Sequence, residues 1–90
     1  MTDQHLDATW RVLGEVLDER RNQTDRHGWT PGHDDARPVT DFAWLIARRA
    51  VEMCHPDAFH AVDARRLFVE IAAIATAALE TYDRRTERTG

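Results

Sequence analysis

Lysine is missing from this chain altogether: all twelve basic residues are arginines. A GC-rich coding sequence accounts for such a bias by itself. Chemically, the bias supplies rigid guanidinium forks that suit planar anions such as phosphate and carboxylate. Cysteine occurs once, as Cys54. That excludes an intramolecular disulfide and a cysteine-built zinc knuckle, and it fits a reducing compartment. No apolar run approaches the roughly 20 residues that cross a bilayer. The opening MTDQHLDATW lacks the basic-then-apolar layout of a secretory leader. The expectation is a soluble, cytoplasmic protein with no membrane partner. No excess of positive charge is present either: the net charge is −4, which argues against a binder of nucleic-acid backbone. Alternating strand patterns, internal repeats and low-complexity tracts are also missing.

What is there reads as helix. With 42% apolar residues the chain is not a candidate for wholesale disorder. Ninety residues make one domain, 1–90, with a modest core. Leu6, Trp10, Leu13 and Leu17 follow one another at steps of four, three and four, with Val16 alongside, which predicts a first helix over about 2–23 with one apolar stripe. Thr2 or Asp3 is suited to cap it. Gly14 weakens its middle by about 1 kcal/mol relative to alanine, a residue choice that fits close approach of another backbone. Gly28, Pro31, Gly32 and Pro38 then break any period, predicting an ordered loop over 24–39. A second helix restarts at Thr40 or Asp41 and buries Phe42, Leu45, Ile46, Ala50 and Met53, with Trp44 turned elsewhere and Pro56 beyond its end. The last helix begins near Asp57 or Asp63 and carries Leu67, Phe68, Ile71, Ile74, Ala75, Ala78, Leu79 and Tyr82. The residues after it, 84–90, form a charged tail. These elements predict an all-α fold, a small three-helix antiparallel bundle with a long ordered loop between helices 1 and 2. The middle helix is short beside its neighbours, so a symmetric homo-oligomer is expected to cover the remainder.

Candidate binding residues gather around the loop. Trp29 is suited either to capping the bundle or to stacking on a base, a contact worth about 1–3 kcal/mol. His33, Asp34 and Asp35 offer a nitrogen and two carboxylates, suited to turn chemistry or to a hard cation. Upstream, Arg20, Arg21, Asn22, Gln23 and Arg26 put cations and amides at the first helix's end, where they suit the helix dipole or an anionic ligand. Arg48 and Glu52 are four apart, the spacing of a surface ion pair. Arg65 and Arg66 are suited to solvent or to a second anion patch. Glu70, among apolar neighbours, requires an arginine or a ligand. Cys54 has no activating partner beside it, and His5, His55 and His60 lack metal spacing.

The segment ERRNQTDRHGWTPGHDD resembles a motif of small uncharacterised phage and prophage proteins, Glu-Arg-x-x-Gln followed by Gly-Trp-Thr-Pro-Glu-His-Asp-Asp. Glu19, Arg20, Gln23, Gly28, Trp29, Thr30, Pro31, His33, Asp34 and Asp35 fit it, and Gly32 replaces its glutamate. The likeness spans about a fifth of the chain. The last helix, DARRLFVEIAAIATAALETYDRR, also resembles MazG-like all-α nucleotide pyrophosphohydrolases. That resemblance implies two acidic pairs holding Mg²⁺ against a triphosphate. Here Arg48 and Arg49 stand where the first pair is expected, leaving Glu52, and Glu70 has no second acid.

The expectation is therefore a non-catalytic phage-type protein that binds a nucleotide or nucleotide signal without a cofactor. The binding set is Arg21, Gln23, Trp29, Thr30, His33, Asp34, Asp35, Arg48 and Arg49, in a pocket shared between subunits. One alternative is a Mg²⁺-dependent pyrophosphohydrolase with Glu52, Glu70, Asp34 and Asp35 as ligands. Another is a protein–protein inhibitor anchored by exposed tryptophans.

Overall fold

A computed structural model describes the backbone of residues 3–54 and 61–89, and the side chains of 6–54 and 64–87. The fold is all-α: α1 (Asp3–His27), α2 (Pro31–Asp35), α3 (Val39–Met53) and α4 (Ala61–Thr89). No strand occurs among the described residues. The central element is α4, against which α1, α2 and α3 each pack; among the described residues α1 and α3 do not pack on each other.

The molecule measures 41 × 41 × 22 Å. At 1.5 Å per residue α1 and α4 are each about 40 Å long. Two equal long dimensions therefore mean that these helices cross widely rather than running side by side. The radius of gyration, 15.0 Å, exceeds the roughly 12 Å of a compact domain this size. The extra breadth comes from the first half of α1, where every described residue from Leu6 to Gly14 is exposed.

That arrangement corrects the expected core. α1 meets α4 through Val16 and Gln23, both buried, while the predicted stripe Leu6, Trp10, Leu13 and Leu17 faces solvent. The reason is angular: at 100° per residue the stripe lies roughly a right angle or more around the helix from the Val16–Gln23 side. The real core is Phe42, Ile74 and Ala77, with Trp29, Leu45, Ile46 and Ala78 against it. On α4, Leu67 and Ile74 are buried as expected, whereas Phe68, Leu79 and Tyr82 are exposed.

The predicted loop 24–39 is mostly helical. α1 continues to His27 and ends on Gly28, whose φ of 68° suits a residue without Cβ. The Gly28 N–H donates to Thr24 O at 3.1 Å, a left-handed helix cap. Thr30 then starts α2: its Oγ1 accepts from the His33 N–H at 3.2 Å, and Pro31 occupies the first turn, where its missing N–H costs nothing. Thr30→Ala is expected to cost about 1 kcal/mol, read from the urea midpoint.

The other boundaries also shift. α3 begins at Val39, preceded by Pro38 with no side-chain cap, so neither Thr40 nor Asp41 caps it. Asp63 sits inside α4. Thr2, Asp57, His55, Pro56 and His60 fall outside the described residues, and His5 outside the described side chains. The predicted tail continues α4 to Thr89, because Arg84 and Arg85 are anchored: Arg84 Nε donates to Asp35 Oδ1 at 2.8 Å, and Arg85 Nη2 donates to the carbonyls of Asp35 and Arg37.

Candidate functional site

The motif over residues 19–35 closes on itself. Arg20 projects from α1 and reaches three elements at once. Its Nη2 donates to Asp34 Oδ2 at 3.1 Å, its Nε to Glu80 Oε1 at 3.1 Å, and its Nη1 to the Trp29 carbonyl at 3.4 Å. The Asp34 side chain is only 2% exposed. Burial pushes its carboxyl above the usual aspartate range, against the pull of Arg20, Arg37, His33 and Arg84. Asp35 is taken by Arg84. His33 Nε2 lies 2.7 Å from Arg37 Nη2. Gln23 is buried, its Nε2 3.5 Å from the Glu70 carbonyl and its Oε1 without a partner among the described residues. Thus Asp34 and Asp35 fasten α2 to α1 and α4, Gln23 joins α1 to α4, and Thr30 and His33 make contacts within residues 30–37.

Trp29 is the motif residue that faces two ways. It packs against the core cluster, with the His27 ring 5.0 Å away and the Arg37 guanidinium 5.1 Å above its ring. It also lines a cavity of about 700 Å³ between the end of α1, α3 and α4. That volume lies within the roughly 300–1,000 Å³ of small-molecule sites. Trp44, Arg48, Arg49, Glu52, Arg66 and Glu70 line it as well.

The cavity's charges divide into a closed set and an open one. Both Glu70 oxygens are engaged: Oε1 accepts from Arg49 Nε at 2.9 Å, and Oε2 from Arg66 Nη1 at 3.0 Å. Of the two partners that suit Glu70, an arginine or a ligand, the structure supplies arginine. Arg49 also donates to the Leu45 carbonyl at 3.0 Å. Arg48 and Glu52, by contrast, do not pair, and among the described residues Arg48 has no partner. Formally, three arginines (48, 49, 66) against two glutamates (52, 70) leave a balance of +1 among the lining residues.

Of the sequence-based binding set, the structure brings Trp29, Arg48 and Arg49 together. Arg21 lies elsewhere, on a shallower depression with Arg20, Thr24, Asp25, Pro31 and Glu80. Its guanidinium is 3.8 Å from Asp18 and otherwise open. Trp44 and Arg66 also line the cavity; neither is in the expected binding set, although the sequence suits Arg66, with Arg65, to a second anion patch. The spacing carried a sign of the first: Trp44 sits off the buried stripe of α3, one turn before Arg48, so an indole and a guanidinium share one face. Arg66 joins only through the packing of α4 on α3. Its neighbour Arg65 instead pairs with Glu15, whose carboxyl is lowered by that bond.

Glu52 and Glu70 both line the cavity, but Asp34 and Asp35 are held on α2 by Arg20 and Arg84. Among the described residues no three His, Cys, Asp or Glu side chains converge as metal ligands. No described helix is long and apolar enough to cross a membrane. No protein-family model, no curated protein and no solved structure matches the chain.

Proposed function

We propose that this is a non-catalytic protein that binds a nucleotide or nucleotide-derived signal in the cavity between α3 and α4. Its resemblance to phage and prophage proteins suggests sequestration of a signal used by host defence. The same proposal includes self-association into a homo-oligomer.

One observation carries the ligand class: two indoles and an unpaired guanidinium, Trp29, Trp44 and Arg48, border one open cavity. Indole faces stack on any base, and a guanidinium fork receives phosphate oxygens. Glu70 is neutralised by two arginines, which favours anion binding over cation binding at the cavity wall. The four-carboxylate set of the hydrolase alternative does not come together, since two of its members are ion-paired on α2.

Titration of tryptophan fluorescence with cyclic, mono- and triphosphate nucleotides tests this. Saturable quenching is expected, with the nucleotide recovered unchanged. Trp44→Ala is expected to weaken binding by about tenfold, the loss of one stacking face. Arg48→Ala is expected to weaken it similarly by removing a charge-assisted contact. Both side chains are exposed, so folding is preserved. Pyrophosphate release with Mg²⁺ that vanishes in Glu70→Ala would replace the proposal with the hydrolase. Failure of every nucleotide to quench at millimolar concentration would remove it.

A further inference from the structure

From Leu6 to Gly14 every residue of α1 is exposed, yet the stripe along it has the spacing of a coiled-coil seam. Leu6, Trp10, Leu13 and Leu17 alternate steps of four and three. They are 46%, 70%, 48% and 50% exposed. We infer that this seam is the interface of a homodimer, formed when the α1 arms of two copies pair antiparallel about a two-fold axis. It gives the self-association proposed above a definite geometry, and its test involves no nucleotide.

Three observations select a second copy in this orientation. The first is size matching. Antiparallel pairing sets Leu6 against the partner's Leu17 and Trp10 against the partner's Leu13, so each layer combines residues that fill one space. A parallel pair would oppose Trp10 with the partner's Trp10. The second is charge. Asp7 and Arg21 both flank the seam on the same side, at equivalent positions two heptads apart. Antiparallel pairing brings Asp7 toward the partner's Arg21, twice by symmetry. Among the described residues of one chain Asp7 has no ion pair, and Arg21 has only the 3.8 Å approach to Asp18. The third is Gly14, midway between those two charges. A Cβ there would meet nothing within 4 Å in the single chain, so internal packing does not explain a residue that weakens the helix. In the dimer it lies beside Leu13, where the partner's Trp10 ring needs room.

The area is adequate. Four side chains at these exposures offer on the order of 500 Å² per copy, since one aromatic alone contributes roughly 150–250 Å² when buried. Both copies together, with the flanking residues, approach the roughly 1,200 Å² at which specific interfaces begin.

Sedimentation equilibrium of the full chain at about 100 µM is the test, in a range that detects micromolar association. The expected mass is twice the chain's 10.4 kDa. Trp10→Asp should raise the dimer dissociation constant at least thirtyfold, as for a central aromatic anchor. Asp7→Arg and Arg21→Asp should each weaken the dimer about tenfold, and the double exchange should restore it. Gly14→Gln should raise helix content yet weaken association, a split that a purely intrachain role does not produce. Every variant position is exposed in the single chain, so circular dichroism separates unfolding from dissociation. A monomeric wild type overturns the inference. So does a dimer that survives Trp10→Asp but is lost in Leu79→Asp on the exposed side of α4, or a double exchange that restores nothing.

Discussion

Arg20→Ala is expected to lower the free energy of unfolding by about 3–5 kcal/mol, the cost of removing one partner from a buried ion pair. Domains of this size are stabilised by only about 5–15 kcal/mol, so the variant is expected at the margin of folding in urea titrations followed at 222 nm. The size of the effect comes from what stays behind. Asp34 would retain a carboxylate with a 2% exposed side chain and without the guanidinium paired to it. The Trp29 carbonyl and Glu80 would lose donors at the same time. Arg20→Lys is not expected to rescue it, because one ammonium cannot reproduce a planar fork reaching α2, α4 and the α1–α2 turn together.

The same variant carries a pH signature. Asp34 already has a folded pKa raised by burial. A raised carboxyl contributes stability that is present below its unfolded pKa and is lost as pH rises through its folded pKa. Removing Arg20 removes the largest attraction opposing that rise, so the folded pKa moves further up. The deficit of Arg20→Ala relative to wild type should therefore be largest near neutrality and shrink on acidification through the range where Asp34 protonates. A deficit below about 1 kcal/mol at neutral pH would show that the pair behaves as an exposed one.

Phe42→Ala is expected to cost a further large amount, about 3–5 kcal/mol, typical of deleting a buried aromatic from a core. Phe42 is 4% exposed and meets Ile74 and Ala77 on α4. It also carries the Arg37 guanidinium 5.5 Å above its ring, the same group that lies over Trp29. Its loss would open the seat of Trp29 as well as the α3–α4 contact. The corresponding truncation at Trp10, which is exposed in the single chain, should leave monomer stability nearly unchanged. A similar loss at both positions would mean that the arm belongs to the monomer's core.

Much of the local structure was legible from residue types alone. The three long helices follow from their apolar spacing, and the buried side of α3 is the one its periodicity named. Thr30-Pro31 carried a readable helix start, a capping hydroxyl followed by a first-turn proline, but the density of glycine and proline around it suggested a loop. Glu70's need for an arginine or a ligand was also legible, since a carboxylate among apolar neighbours has few other stable states. The motif's function was not: the same Asp34 and Asp35 that offer ligands to a cation offer them equally to Arg20 and Arg84. Residue type does not distinguish those partners.

By itself, then, the sequence determined that the chain is helical, that its cations are all forks rather than point charges, and that an indole shares one face of α3 with Arg48. Those properties follow from steric propensity, side-chain chemistry and a fixed 3.6-residue turn, each local to a few residues. Tertiary structure alone decided that α1 crosses α4 through Val16 and Gln23, leaving its strongest apolar stripe outside, and that Trp29, Arg49 and Arg66 surround one cavity. Periodicity says that a helix has an apolar side. It does not say which element, or which copy of the chain, will cover it, because that depends on contacts between residues far apart in sequence.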